Sequence, residues 1–119
     1  MEPAELLRWQ WVNYPDAHTT RANLLLHICT APLFWAGTVL LLVGLFTLSW
    51  GPALLGLACL PVPLIAQGVG HKRLEPLPPL PFSGPWNFVA RFFLEQWINF
   101  PRFVLSGGWW RAFSKKSVK

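Results

Sequence analysis

His27 and His71 stand close to the two ends of a long uncharged stretch, and each has a polar neighbour one helical turn away. Asn23 and His27 are spaced i,i+4, as are Gln67 and His71, and His71 and Glu75. Residues at that spacing share a helix face. Two or three imidazoles and one carboxylate are the donor set of a non-haem iron(II) centre, which leaves positions for oxygen and for a chelating ligand. In such a centre His27, His71 and Glu75 would be ligands, and Asn23 and Gln67 would orient the imidazoles. His18 lies nine residues before His27, about 13 Å along a straight helix. It joins the group only if the chain turns back near Thr19, and Pro15, Thr19 and Thr20 provide for that turn. The alternative for each imidazole taken singly is a place at the level of lipid headgroups, with no ligand at all.

The depths of the two histidines match. His27 lies 23 residues before Trp50, and His71 lies 21 residues after it. If the chain reverses at Trp50, the two helical arms differ by only about 3 Å. The turn is expected at Ser49-Trp50-Gly51-Pro52, a strong breaker sequence. The cysteines do not share this symmetry. Cys29 and Cys59 stand 21 and nine residues from Trp50, about 18 Å apart in depth, too far for a disulfide. Two free, buried thiols are expected.

The elements that must carry these residues follow from charge. The chain has 119 residues, 53% hydrophobic and only 13% charged, about half the usual share of charge. Ala22 to Gly70 contains no Lys, Arg, Asp or Glu. A membrane helix needs about 20 apolar residues, so the block holds two. The expected fold is an all-α membrane protein: a two-span helical hairpin with a short N-terminal helix and an amphipathic C-terminal helix. The expected segments of this single membrane domain are an N-terminal helix and loop (1–20), a first span (21–48) and a second span (52–75). A Pro-rich connector (76–85), an amphipathic helix (86–105) and a basic aromatic tail (106–119) follow. Pro61 and Pro63 should kink the second span. Residues 71–119 carry eight of the ten basic groups, so both termini are expected on the cytoplasmic side. The membrane would be the inner membrane of a bacterium or the endoplasmic reticulum of a eukaryote. No basic stripe or recognition motif points to nucleic acid, and the sequence leaves a homo-oligomer open.

The flanking segments are aromatic. None of the eight Trp residues falls in the middle of a span, as an aromatic belt requires. Leu6, Leu7, Trp9, Trp11 and Val12 give the N-terminal helix a wide apolar surface, and Pro15-Asp16 should end or bend it. Thr19 or Thr20 suits the cap of the first span. Along 86–105, Asn87, Arg91, Glu95, Asn99 and Arg102 form a narrow polar stripe beside many Phe and Trp residues. That pattern fits a helix lying in the membrane interface, or one packed on the hairpin. Pro101 should kink it and Gly107-Gly108 should end it.

The segment Tyr14-Pro-Asp-Ala-His18-Thr-Thr-Arg-Ala-Asn23-Leu-Leu-Leu-His27 resembles the first motif of a membrane family. The characterised fungal members of that family are 2-hydroxy fatty acid dioxygenases of the endoplasmic reticulum. Gln67-Gly-Val-Gly70-His71-Lys-Arg-Leu-Glu75, followed by Pro78-Pro79-Leu80, is similar to its second motif. The resemblance spans residues 14–80. The chain is shorter than the fungal members, and Pro78-Pro79-Leu80 replaces their Pro-Ala-Leu stretch. The resemblance implies an Fe(II)-dependent α-oxidation, in which molecular oxygen cleaves a 2-hydroxy fatty acid to a fatty acid one carbon shorter. It implies His18, His27, His71 and Glu75 as metal ligands and catalytic residues, with Asn23 and Gln67 in support. Arg21, Lys72 or Arg73 would neutralise the substrate carboxylate, and the acyl tail would lie between the spans or in membrane lipid.

Two other readings compete with the enzyme. One is a non-catalytic small membrane protein that binds lipid or a partner protein. The other is a carrier of haem or another metal, with His27 and His71 as axial ligands across the hairpin.

Overall fold

The structure, a computed structural model, describes residues 2–76 and 81–115. The part of the Pro-rich connector at 77–80, including Pro78-Pro79-Leu80, lies outside them, as does the end of the tail at 116–119. Among the described residues every regular element is a helix.

Helix α1 spans Pro3–Ala17 and begins with Pro3 in its first turn, where a missing N–H costs nothing. The Glu2 N–H donates to Glu5 Oε1 at 3.0 Å. Its buried residues are Leu6, Gln10 and Tyr14, a one-turn repeat that His18 continues just beyond the helix. Pro15 sits inside the last turn without ending the helix there.

Helix α2 spans Arg21–Phe46, with the Thr20 hydroxyl accepting the Asn23 N–H at 3.2 Å. The reversal comes slightly earlier than its breaker residues suggest. Thr47, Leu48 and Ser49 make the turn, with Leu48 at φ 55°. Gly51-Pro52 falls instead in the first turn of α3, Trp50–Cys59, where proline is tolerated. Helix α4, Pro61–Arg73, follows after a break at Leu60. Pro61 cannot donate to the preceding turn, so the ladder is interrupted there.

The hairpin is joined by small residues. A Cβ added at Gly44 would overlap the backbone of Ala53, and one at Gly56 would overlap Leu41 and Gly37. Close backbone approach through Gly and Ala is how apolar helices associate where no water drives them together. The two long apolar segments, Arg21–Phe46 and Trp50–Arg73, are each long and apolar enough to cross a membrane, and only 22% and 28% of their most apolar windows is buried inside the protein. Leu45, Phe46, Leu48, Leu54, Leu57 and Ile65 point outward.

The C-terminal region packs on the hairpin instead of standing apart from it. It comprises α5 (Pro85–Leu94), a π-helical turn (Glu95–Asn99), α6 (Phe100–Leu105) and α7 (Gly108–Ser114). Phe100 and Phe103 join Tyr14, Leu24 and Ala31 in the core. The irregularity expected at Pro101 lies one turn upstream of it. In the widened turn the Phe100 N–H reaches the Glu95 carbonyl. The next bond of that register would run from Pro101 to the Gln96 carbonyl, and proline has no N–H to make it. The Trp35 indole N–H serves that carbonyl instead, at 2.6 Å.

Cys29 and Cys59 are free thiols, as the depth difference requires. Cys29 is exposed and Cys59 half-buried, so neither has the buried setting expected of it.

Candidate metal centre

Four segments deliver one donor each. His18 follows α1, His27 comes from α2, His71 from the last turn of α4, and Glu95 opens the π-helical turn. One donor atom from each lies within 4.8 Å of every other. Two donors facing each other across one ion at about 2.1 Å per bond stand about 4.2 Å apart, so the group is compact enough to hold a metal ion. The three imidazole rings stand edge to face, with centroids 4.6–4.9 Å apart.

The hydrogen bonds orient two of these imidazoles. His18 Nδ1 lies 2.9 Å from the Tyr14 carbonyl, and His27 Nδ1 lies 3.1 Å from the Asn23 carbonyl. A carbonyl only accepts, so both Nδ1 atoms carry the proton and both Nε2 atoms present a lone pair. Those Nε2 atoms are buried and have no hydrogen-bond partner among the described residues. They lie 3.3 Å and 3.4 Å from Glu95 Oε2. Buried nitrogen lone pairs facing a carboxylate are costly, and a cation between them satisfies all three groups. The donor set therefore fits a metal.

Burial lowers the pKa of His18, and the neighbouring Glu95 only partly restores it. Burial would raise Glu95, but a proton carried on Nε2 of His18 or His27, in the place a metal would take, holds it well below the usual carboxylate range. The Tyr14 hydroxyl donates to Glu95 Oε2 at 3.0 Å, and its ring stacks on His18 at 3.8 Å. Burial and the Glu95 charge push the Tyr14 phenol well above its ordinary value, so it stays a donor.

The structure brings His18, His27 and His71 together, and it places Glu95 where the sequence pointed to Glu75. Glu75 closes a different contact. Its carboxylate accepts the backbone N–H of Thr19 at 3.0 Å, the Thr19 hydroxyl at 2.6 Å and the Asn23 side-chain amide at 2.7 Å. The Thr20 N–H adds a fourth donor at 3.3 Å. An acid at the start of α2 suits the positive helix end. Glu75 therefore fixes the turn that carries His18 back toward His27. Burial would raise its pKa, but bonds from Thr19, Asn23 and Thr20 outweigh that and hold it below the ordinary value.

Asn23 is fully buried beneath the site, and Gly70 leaves room for it: a Cβ at Gly70 would overlap Asn23 Oδ1. Gln67 does not reach an imidazole through its side chain. It donates to the Thr30 hydroxyl at 2.9 Å and pairs reciprocally with Gln96. On the other side Asn99 donates to Gln10 Oε1 at 3.0 Å, and Gln10 donates to the Arg91 carbonyl at 2.7 Å. These amide pairs clamp the π-helical turn between α1 and α4, which fixes where Glu95 points. π-helical turns recur at functional sites. Glu95, Gln96 and Asn99 escaped sequence reasoning as site residues. The available signal was three polar residues in an otherwise Phe- and Trp-rich helix just before Pro101.

Of the three candidate carboxylate-binding cations, Lys72 lines a cleft that opens on the site. Arg21 donates to the Phe113 and Lys115 carbonyls at 2.8 Å and 3.4 Å, and is held at the tail. Arg73 is exposed and lines neither that cleft nor a second one between α1 and α7.

Comparison of the chain with protein families, with characterised proteins and with solved structures found no match.

Proposed function

We propose that the protein is an iron(II)-dependent membrane dioxygenase that shortens 2-hydroxy fatty acids by one carbon. The observation that carries this reading is the pair of buried, unpartnered Nε2 atoms of His18 and His27, converging with His71 on the Glu95 carboxylate. His18, His27, His71 and Glu95 would hold the ion, with Glu95 in the role first given to Glu75. A bound iron(II) would supply redox chemistry with oxygen and a Lewis acid for the 2-hydroxyl and carboxylate of the substrate. The balance is one 2-hydroxy acid and one O2 giving the shortened acid, carbon dioxide and water, with the C1–C2 bond broken.

The chain's own residues do the rest. The Tyr14 and Asn23 carbonyls keep two imidazoles in the donor tautomer. The Tyr14 hydroxyl steadies Glu95 without taking its charge. The cleft beside α1 admits a ligand to His18, His71 and Glu95, the last two being the more exposed members of the group. Sharing the site among three imidazoles favours this reading over haem. A porphyrin gripped by His27 and His71 would need the space that His18 and Glu95 fill.

In this reading the hairpin spans a bacterial inner membrane or the endoplasmic reticulum, with both termini cytoplasmic. The outward-facing side chains of the two long segments support it, since a water-exposed surface of that kind would aggregate. Reporters fused to each terminus should report the same side.

Metal analysis tests the chemistry. Protein purified without oxygen and loaded with iron(II) should hold one ion, lost in His27→Ala and His71→Ala. With a 2-hydroxy fatty acid and oxygen it should release the acid one carbon shorter. Failure to retain iron, or intact substrate across a range of chain lengths, would overturn the reading.

A further inference from the structure

The cleft that reaches the metal centre has a volume of about 470 Å³ and runs between α1, α4 and α5. Its inner end is His18, His71 and Glu95. Leu64, Phe88 and Phe92 form apolar walls, and Arg91 and Lys72 are its cations. Arg91 was one polar position on a helix stripe in the sequence, yet it is the only guanidinium on this lining. It is held firmly. Its guanidinium carbon stands 4.3 Å from the Phe82 ring centre and 5.3 Å from that of Trp9. Nη1 donates to the Pro81 carbonyl at 3.2 Å and reaches Asn87 Oδ1 at 3.5 Å. Among the described residues, Nε and Nη2 have no protein acceptor, so a two-pronged edge is open to a ligand. A guanidinium fixed by aromatic rings is pre-organised for bidentate contact with a planar carboxylate.

Arg91 lies one helical turn before Glu95, so the open edge and the metal donors belong to one short stretch of chain. Of the acids on the lining, Glu95 is engaged with His18, His27 and Tyr14, and Asp16 is exposed. An amphiphile with one anionic head therefore meets cations near the metal donors and aromatic or aliphatic walls along its tail.

We propose that this cleft is the binding site for the acyl-chain acid, and that Arg91, assisted by Lys72, receives its carboxylate and sets the head group beside the metal centre. The proposal rests on the dioxygenase reading for the chemistry that follows, but binding itself needs no metal.

The test uses the full chain in non-ionic detergent without added metal, and hexadecanoate carrying a mid-chain diazirine. Light should label peptides containing Leu64, Phe88 or Phe92. Unlabelled hexadecanoate should compete at least tenfold better than hexadecanol or phosphatidylglycerol. Arg91→Ala should weaken labelling at least tenfold, Arg91→Lys should recover part of the loss, and Arg8→Ala on the exposed face of α1 should change nothing. Equal competition by hexadecanol would overturn the proposal, and it requires no variant to fold. Equal competition by phosphatidylglycerol would assign the cleft to lipid headgroups and also overturn it. Wild-type labelling in a folded Arg91→Ala would remove Arg91 from the site. Iron stoichiometry of a separate portion loaded with iron(II) separates failure here from failure of the metal centre.

Discussion

The Trp35 indole donates to the Gln96 carbonyl, the acceptor that Pro101 leaves without a donor. One hydrogen bond thus ties the first long helix to the π-helical turn that aims Glu95. Trp35→Phe keeps the aromatic packing and deletes the donor. It should cost about 1–3 kcal/mol, since a partly buried carbonyl is left unpaired. It should also lower iron occupancy by letting the turn relax. Thermal unfolding in detergent and metal stoichiometry check the two effects together. Unchanged metal content with lowered stability would confine Trp35 to packing.

The two candidate carboxylates separate cleanly. Glu95→Gln keeps size and removes charge beside three imidazoles, so iron affinity should fall by more than tenfold with the fold retained. Glu75→Gln should leave iron stoichiometry near one and lower stability instead, because its donors Thr19, Thr20 and Asn23 lose a charged acceptor. Metal titration of both variants decides it. Loss of metal in Glu75→Gln alone would return Glu75 to the ligand set.

This contrast also marks what was legible in the sequence. His27 and His71 could be paired because a hairpin with equal arms forces equal depth. His18 could be added because Pro15 and the two threonines announce a turn. The helices themselves follow from an uncharged block long enough for two. Glu95 was not legible for a physical reason. Its approach depends on how the C-terminal segment docks on α1 and α2, through Phe100, Phe103 and the buried amides Gln10, Gln67, Gln96 and Asn99. No local spacing encodes that docking. The π-helical turn also inserts a residue into the 3.6 period, so the Asn87–Arg102 stripe does not stay on one face. Glu75 looked right because it lies one turn beyond His71, but α4 has ended by then and its carboxylate turns toward the start of α2.

Acid should loosen the Thr19 turn through Glu75. Glu75 has a folded pKa below its ordinary value of 4.5. A depressed carboxyl stabilises the fold fully above the unfolded value, and that contribution is lost as pH falls through the folded value. The Glu75 contribution should therefore hold from neutrality to about pH 4.5 and decline below it, on top of the earlier loss that buried His18 brings as pH falls below its ordinary value of 6.5. In Glu75→Gln this acid-dependent component should shrink, leaving a lower but flatter curve. Thermal unfolding of metal-free protein between neutral and strongly acidic pH measures both. An identical acid slope in the variant would assign it to another carboxylate.

The hairpin makes its own prediction, because its close approach is what sets His27 beside His71. Gly56 faces the backbone of Leu41 and the carbonyl of Gly37, with no space for a side chain. Gly56→Leu must push α3 away from α2, and overpacking of this kind typically costs about 1–3 kcal/mol. The strain should travel along the second arm to His71, so iron occupancy should fall although Gly56 lies four helical turns from the imidazole. Gly51→Ala is the matched control, since a Cβ there meets nothing and the residue lies in the same helix. Metal stoichiometry together with thermal unfolding tests the coupling. If Gly56→Leu is destabilised but binds a full equivalent of iron, the centre is held by α1 and the π-helical turn, and the hairpin contributes only the surface on which they dock.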